Sequence, residues 1–318
     1  MVGLTLNLAR YRFYARTLSP LRLPRYAGAT LRGAFGHALR RRVCALGREL
    51  CHGCRLIMNC DYPLLFEPRL LTKEPSADPL PADQPPFLIE PPPMPGRPLR
   101  LGERFSFDMV LIGEALDKLD TIIAAWRTAL SSALGADAGQ AELEQVAFVP
   151  ADGIAVTVAG RDPRIHPHDA TLTIPSFPED RDVTLSLLTP LRIRHQGRII
   201  GVQGFQPGLF WRHLIRRVTM QVNRQHPETW TLDDIHALNA LADRVKTGRI
   251  ALMWEDPWRH STRQGRRIPL GGVVGRLSFS AVPRALLPIL YLGQWLHVGK
   301  ETAFGLGHYR WLDRPRGA

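Results

Sequence analysis

Long apolar runs, lysine and cysteine are all scarce in this 318-residue chain. The most apolar stretch, Ala285 to Val298, is interrupted by Pro288, Gln294 and His297 and is too short for a bilayer, which argues against a spanning helix. The opening residues alternate Leu4, Leu6 and Leu8 with polar neighbours and run into Arg10, Tyr11 and Arg12. That is the pattern of a strand and not of a signal peptide, so a cytoplasmic protein is expected. There is no phosphate-binding loop of nucleotidase spacing, which disfavours an ATPase, and no carboxylate cluster of the kind a two-metal nuclease needs. What is present is a globular composition, 45% hydrophobic and 22% charged, at a length that suits two domains with real cores.

Charge is distributed unevenly. Lys and Arg number 41 against 29 Asp and Glu, a formal net charge of +12, and only four of the basic residues are lysines. Residues 1 to 55 hold 11 basic side chains and one acidic, residues 56 to 189 hold 10 and 20, and residues 190 to 318 hold 20 and 8. If the two basic ends meet, they form one surface facing a polyanion, and nucleic acid is the natural partner. Arginine suits this because its planar fork binds phosphate in a bidentate manner and stacks on bases.

Two stretches echo one another. Ser19-Pro20-Leu21-Arg22-Leu23-Pro24-Arg25 precedes a loop and a helix carrying His37 to Val43, and Thr189-Pro190-Leu191-Arg192-Ile193-Arg194-His195 precedes a longer loop and a helix carrying His213 to Val218. The common order of strand end, loop and arginine-rich helix indicates two copies of one unit. The expected fold class is α+β: two tandem ferredoxin-like, RRM-like βαββαβ domains, 1–180 and 181–318. Strands are expected at 3–16, 104–112, 183–194 and 306–312, with short strands in 142–175. Helices are expected at 30–43, 115–134, 208–224, 231–245 and 283–297, and a basic hairpin at 249–280. Ten of the 24 residues from Pro75 to Pro98 are proline. That segment reads as a surface loop or insertion with an edge strand at Phe87-Leu88-Ile89.

Leu31, Ala34, Phe35, Ala38, Leu39 and Val43 recur at helical steps and define a buried stripe in the first helix. Thr30, Gly33, His37, Arg40 and Arg41 share another face. A histidine beside fixed cations is the equipment for cutting RNA without metal: a base takes the ribose 2′-hydroxyl proton, an acid protonates the leaving 5′-oxygen, and cations stabilise the developing charge. All four cysteines fall in one window, Cys44-x6-Cys51-x2-Cys54-x5-Cys60. Four thiolates around a C-x-x-C can close a structural zinc site; an iron–sulfur cluster uses the same ligands, and reduced thiols are the third alternative. Near the C-terminus, Gly299-Lys300-Glu301-Thr302-Ala303-Phe304-Gly305-Leu306-Gly307 offers glycines that could bring backbone amides close to a phosphate, with Lys300 as a point charge. Trp254, Trp258, Arg259, Arg263, Arg266 and Arg267 make the hairpin a basic, aromatic projection suited to a folded RNA.

The run from Leu31 to Arg40, the cysteine window leading into Cys60-Asp61-Tyr62-Pro63-Leu64-Leu65-Phe66, the Thr189–Arg192 segment and the closing glycine-rich loop together resemble one family. They are similar to the CRISPR-associated endoribonucleases of the RAMP superfamily that process precursor CRISPR RNA, CRISPR-associated protein family six. The resemblance implies a repeat-RNA substrate and a metal-independent cut leaving a 2′,3′-cyclic phosphate and a 5′-hydroxyl. It implies His37 as the catalytic histidine, with Tyr26 as the upstream tyrosine, Arg40 or Arg41 in place of a lysine that some relatives carry, and His297 in reserve. RNA contacts are expected from Arg32, Arg41, Arg192, Arg194, Arg263, Arg266, Arg267, Gly299, Lys300, Gly305 and Gly307. The expected partners are repeat RNA, a CRISPR effector complex and a second copy of the chain in a homodimer, with no membrane. A non-catalytic repeat-binding subunit of an effector complex is the alternative.

Overall fold

The computed structural model describes residues 3–71, 84–92, 97–135, 137–162, 164–261 and 266–312, with the backbone alone at 259–261 and 266. The chain divides into two compact units, Asn7–Leu172 and a second formed by Met1–Leu6 with Thr173–Ala318. The boundary therefore precedes the expected one at 180. The reason is local: Gly3 and Leu4 exchange backbone hydrogen bonds with Ile174, and Phe177 stacks on Trp311 at 5.7 Å and packs on Tyr291.

In the first unit the order is β1 (Thr5–Thr17), α1 (Gly28–Val43), a short α2 (Asp61–Phe66), β2 (Phe87–Glu90), β3 (Arg104–Ile112), α3 (Leu119–Ser131), β4 (Ala141–Val149), β5 (Val156–Ala159) and β6 (Thr171–Thr173). Its sheet runs β2-β3-β1-β4-β5, antiparallel at each of these pairings. The Pro-rich flank does deliver a strand, β2, at the sheet edge, and all four of its residues are buried. The expected long second helix begins instead as a 3-10 turn, Gly113–Lys118, before α3. Alternation along β1 sends Tyr11, Phe13 and Ala15 into the core and leaves Arg12, Tyr14 and Arg16 on the other face. Phe13 stacks on Phe107 at 5.2 Å and Phe35 of α1 stacks on Trp126 of α3 at 5.0 Å, so aromatic packing fixes both helices on one side of the sheet.

The second unit repeats the plan. After β7 (Arg181–Leu191) come a two-residue hairpin, β8 (Arg194–His195) and β9 (Arg198–Ile199), then α4 (Pro207–Gln225), α5 (Leu232–Asp243) and β10 (Lys246–Glu255). A small hairpin, β11 (Trp258–Ser261) and β12 (Arg266–Pro269), precedes β13 (Gly272–Val282), α6 (Leu287–Leu296) and β14 (Tyr309–Trp311). Its sheet runs β10-β13-β7-β14, again antiparallel. Numbered within each unit, both sheets place the second strand at one side, then the third, the first and the fourth, which is the strand order of the ferredoxin-like βαββαβ unit. The sequence echo between residues 19–25 and 189–195 thus marks the same topological position twice: the chain leaving the first strand. Among the described residues no helix is long and apolar enough to cross a membrane.

Candidate RNA-cleaving site

The buried stripe of α1 is Leu31, Phe35, Ala38 and Leu39, with Ala34 and Val43 packed against it. His37 lies opposite and is exposed. Gly33, one turn earlier, is exposed as well, and a β-carbon there would meet nothing within 4 Å. Gly36 serves another purpose: a β-carbon would sit 2.6 Å from the Phe66 ring, so this glycine lets α2 close on α1. An accessible imidazole beside an open backbone is thus held on a helix whose other side is locked in aromatic core.

The cations expected around His37 go in different directions. Arg41, four residues on and exposed, shares its face and donates to Ser132 Oγ at 3.2 Å. Arg40 turns away. Its guanidinium donates to the Arg48 carbonyl at 2.6 Å, lies 5.1 Å from the centre of the Tyr62 ring and lines the cysteine cavity, which argues against its role as the catalytic cation. Arg32 also points inward, 4.5 Å from the Phe66 ring centre, as a cation packed on an aromatic face. Tyr26 precedes α1, two residues before Gly28. Arg40, Arg41 and Arg42 occupy the last turn of α1, where positive charge offsets the helix dipole, a structural reason for the triplet that needs no RNA.

At the end of α1 the four cysteines line one cavity together with Arg40, Arg48 and Tyr62, and none forms a disulfide. The donor set fits a soft metal. Burial acts against the Cys44 thiolate, yet backbone amides of Arg48, Leu46 and Gly47 and the charge of Arg40 bring its pKa below the ordinary thiol value. Amides aimed at a cysteine sulfur are what a metal-bound thiolate uses for orientation. Burial, the Glu67 carboxylate and the neighbouring Cys60 push the Cys51 thiol up. Among the described residues no three of the sulfurs lie within 4.8 Å of one another, so a bound ion would draw the loop inward.

The second unit carries the glycine-rich loop. Here the glycines answer to the chain itself. Gly299 (φ 94°) would place a β-carbon 2.5 Å from the Arg192 carbonyl, and at Gly307 (φ 72°) one would collide with the Val298 carbonyl. The loop amides are spent internally as well: Lys300 N donates to Arg192 O at 2.8 Å, Gly307 N to Pro190 O at 2.9 Å, Phe304 N to Glu301 O and Gly305 N to Thr302 O. Thr189 clamps the loop from β7, donating to Gly305 O at 2.7 Å and accepting from His308 N at 2.9 Å. Gly305 and Gly307 are buried. For Gly305 and Gly307 the expectation of amides facing a phosphate is therefore corrected; what the loop presents outward is Lys300 with Glu301.

His297 follows α6 at φ 56°, is fully buried, stacks on His308 at 4.5 Å and has Nδ1 3.3 Å from Leu306 O. That placement withdraws it as a reserve catalytic residue, because a substrate ribose cannot reach it. Arg192 donates to Gly271 O at 2.8 Å and so ties the loop to the start of β13, while Arg194 is exposed. In the hairpin Arg267 lies 4.0 Å over the Trp258 ring. Arg263 lies outside the described residues, as does the side chain of Arg266.

Two ferredoxin-like units in one chain, with an exposed helical histidine in the first and a strand-clamped glycine-rich loop in the second, define an α+β protein. The family model for the CRISPR-associated endoribonuclease Cas6 matches residues 185–309, and a model for an N-terminal domain matches residues 6–170. Residues 185–309 thus carry a domain of the Cas6 endoribonuclease family. Among solved structures it is similar to a Thermus thermophilus Cas6, at 15% identity over 98% of this chain and 100% of that one with a TM-score of 0.52. It is also similar to that protein in a product complex, at 16% identity over 96% and 99% with a TM-score of 0.57. A partial Cas6-RT-Cas1–Cas2 complex matches at 16% identity over 98% of this chain and 47% of that one, TM-score 0.56. At these identities the likeness is one of fold. No curated protein matches the chain.

Proposed function

We propose that the chain cuts CRISPR repeat RNA by attack of a ribose 2′-hydroxyl on the adjacent phosphorus, with His37 moving the proton. The observation that carries this reading is the exposed imidazole of His37 beside the open backbone of Gly33, in a chain whose residues 185–309 match the Cas6 endoribonuclease model. The 2′-oxygen loses its proton and bonds to phosphorus, the bond from phosphorus to the 5′-oxygen breaks, and that oxygen takes up a proton. The products are a 2′,3′-cyclic phosphate and a 5′-hydroxyl. Histidine suits either transfer near neutral pH, and Arg41 is the cation on the same helix face. The four cysteines would hold a structural zinc ion, with all positions filled by sulfur, and so pin the end of α1. Other CRISPR proteins are the class of protein partner, in keeping with the Cas6-RT-Cas1–Cas2 assembly that shares this fold.

The test is purified protein and repeat RNA in EDTA. Cleavage should persist, stop with a 2′-deoxy residue at the cut site, and fall by roughly 10²–10⁴-fold in His37→Ala. Undiminished cutting by His37→Ala removes His37 from the role. Tight binding without cleavage under any condition selects a repeat-binding subunit, a reading favoured by the inward turn of Arg40.

A further inference from the structure

The helices of the first unit lie on one side of its sheet, and the other side carries arginines gathered around a single carboxylate. Register sets Arg16 of β1 directly opposite Arg104 of β3, a like-charge pair that costs stability unless an anion sits with it. Glu144 of β4 is that anion. It accepts from Arg16 Nε at 2.6 Å and from Arg104 Nε at 2.8 Å, and Arg161 lies 3.9 Å from it. A bulge in β4 allows this: the pairing with β1 shifts between Tyr14 and Ala15, so Glu144 is the extra residue, and both it and Gln145 reach the open side.

Three guanidiniums here meet two carboxylates, because Arg161 also pairs with Glu142 at 3.3 Å. One positive charge is left over. It is accessible as well: the side chains of Arg104 and Arg161 are 69% and 68% exposed, and among the described residues the Arg104 side chain donates only through Nε. With Tyr14, Arg16, Glu144 and Gln145 these two arginines line an open cavity of about 650 Å³. Tyr14 stands opposite Gln145 in the register, and Gln145 Nε2 donates to Thr157 Oγ1 of β5 at 2.6 Å, which fixes the amide beside the ring.

We propose that this sheet face of the first unit is a nucleotide site, with an aromatic base lying on the Tyr14 ring and its phosphate held by Arg104 and Arg161. The surplus charge calls for an anion, and the adjoining ring and amide call for a flat group with hydrogen-bonding edges. A nucleotide carries both. An acidic peptide would satisfy the arginines and leave Tyr14 and Gln145 without a task. An ion pair between exposed side chains contributes little, so a phosphate displaces Glu142 from Arg161 at small cost. Glu144, 14% exposed and bonded to two Nε donors, stays and keeps Arg16 and Arg104 in place. His37 belongs to α1, on the other side of the sheet, so this inference does not depend on the cleavage reading. The nucleotide is either one residue of an RNA strand or a free mononucleotide.

The experiment uses the full chain with tetra-adenylate and adenosine monophosphate as probes. Affinities come from calorimetry over a range of salt, and an azide-bearing tetra-adenylate is photocrosslinked and its adducts mapped by mass spectrometry. Adducts should fall on β1 or β4 beside Tyr14. Tyr14→Leu should weaken binding about 5- to 100-fold, and Tyr14→Phe should retain it. Arg104→Gln and Arg161→Gln should each weaken binding and lower the slope of log affinity against log salt by about 0.7. Glu142→Gln should tighten binding, since it removes the carboxylate that competes for Arg161. Tighter binding of tetra-adenylate than of the mononucleotide assigns the site to a strand, and equal affinity assigns it to the free nucleotide. Parental affinity and salt slope in folded Tyr14→Leu and Arg104→Gln, or adducts confined to other elements, overturn the inference. Loss or survival of repeat cleavage in His37→Ala bears on the proposed function alone.

Discussion

Replacing Thr189 by valine isolates what holds the glycine-rich loop to β7. The change keeps the β-branched shape, so it opens no cavity, and it removes one hydroxyl that donates to Gly305 O and accepts from His308 N. Two backbone groups then lose their partner, and Thr189 and Gly305 are buried. At about 1–3 kcal/mol for each group left without a partner, and with His308 partly open to water, the expected loss is about 2–4 kcal/mol. Urea unfolding followed on the second unit measures it, and the midpoint should fall without a change in slope. Hydrogen exchange should localise the effect, with the amides of residues 298–307 exchanging faster while those of α1 and α3 do not change. A loss below about 0.5 kcal/mol, or uniform acceleration across both units, would refute the claim that this hydroxyl is the clamp.

Other outcomes follow from the same geometry. Gly293→Ala should destabilise the second unit by about 1–3 kcal/mol or prevent its folding, because the new β-carbon collides with the Tyr309 hydroxyl, itself bonded to Leu290 O at 2.7 Å, and with Leu214; thermal unfolding checks this. Purified protein should carry one equivalent of zinc and no visible absorption band, and Cys54→Ser or a strong chelator should remove the metal and loosen the end of α1, read by metal analysis and proteolysis between residues 44 and 60. A coloured protein would indicate an iron–sulfur cluster instead. Glu103 accepts from both Arg97 and the Arg100 amide, which depresses its pKa to about 2. Whatever stability this pair adds is present above the ordinary carboxylate range and lost as pH falls through about 2, and Arg97→Ala should return the carboxyl midpoint, followed by NMR, toward the usual value.

Much of this protein was written in local pattern. The stripe Leu31, Phe35, Ala38 and Leu39 fixes which side of α1 is core and leaves His37 outside by helical geometry alone, and alternation along β1 sorts Phe13 from Arg12 in the same way. The duplicated strand-end motif announced two units of one topology, and four cysteines in a 17-residue window had to lie near one another whatever the fold. Where a side chain ends is different. Arg40 and Arg41 are neighbours on one helix, yet one reaches the cysteine loop and the other Ser132, and Arg32 lies over Phe66. Long flexible cations go to whatever carbonyl, ring or hydroxyl the tertiary structure brings within reach, and spacing does not encode that. The glycine-rich loop shows the same division: its composition specified positive φ and close approach, but only the pairing of Gly299 with Arg192 and of Gly307 with Val298 decided that the approach is to the chain itself. Because the Lys300 and Gly307 amides are bonded to residues more than a hundred positions away, their fate was decided by the folded structure.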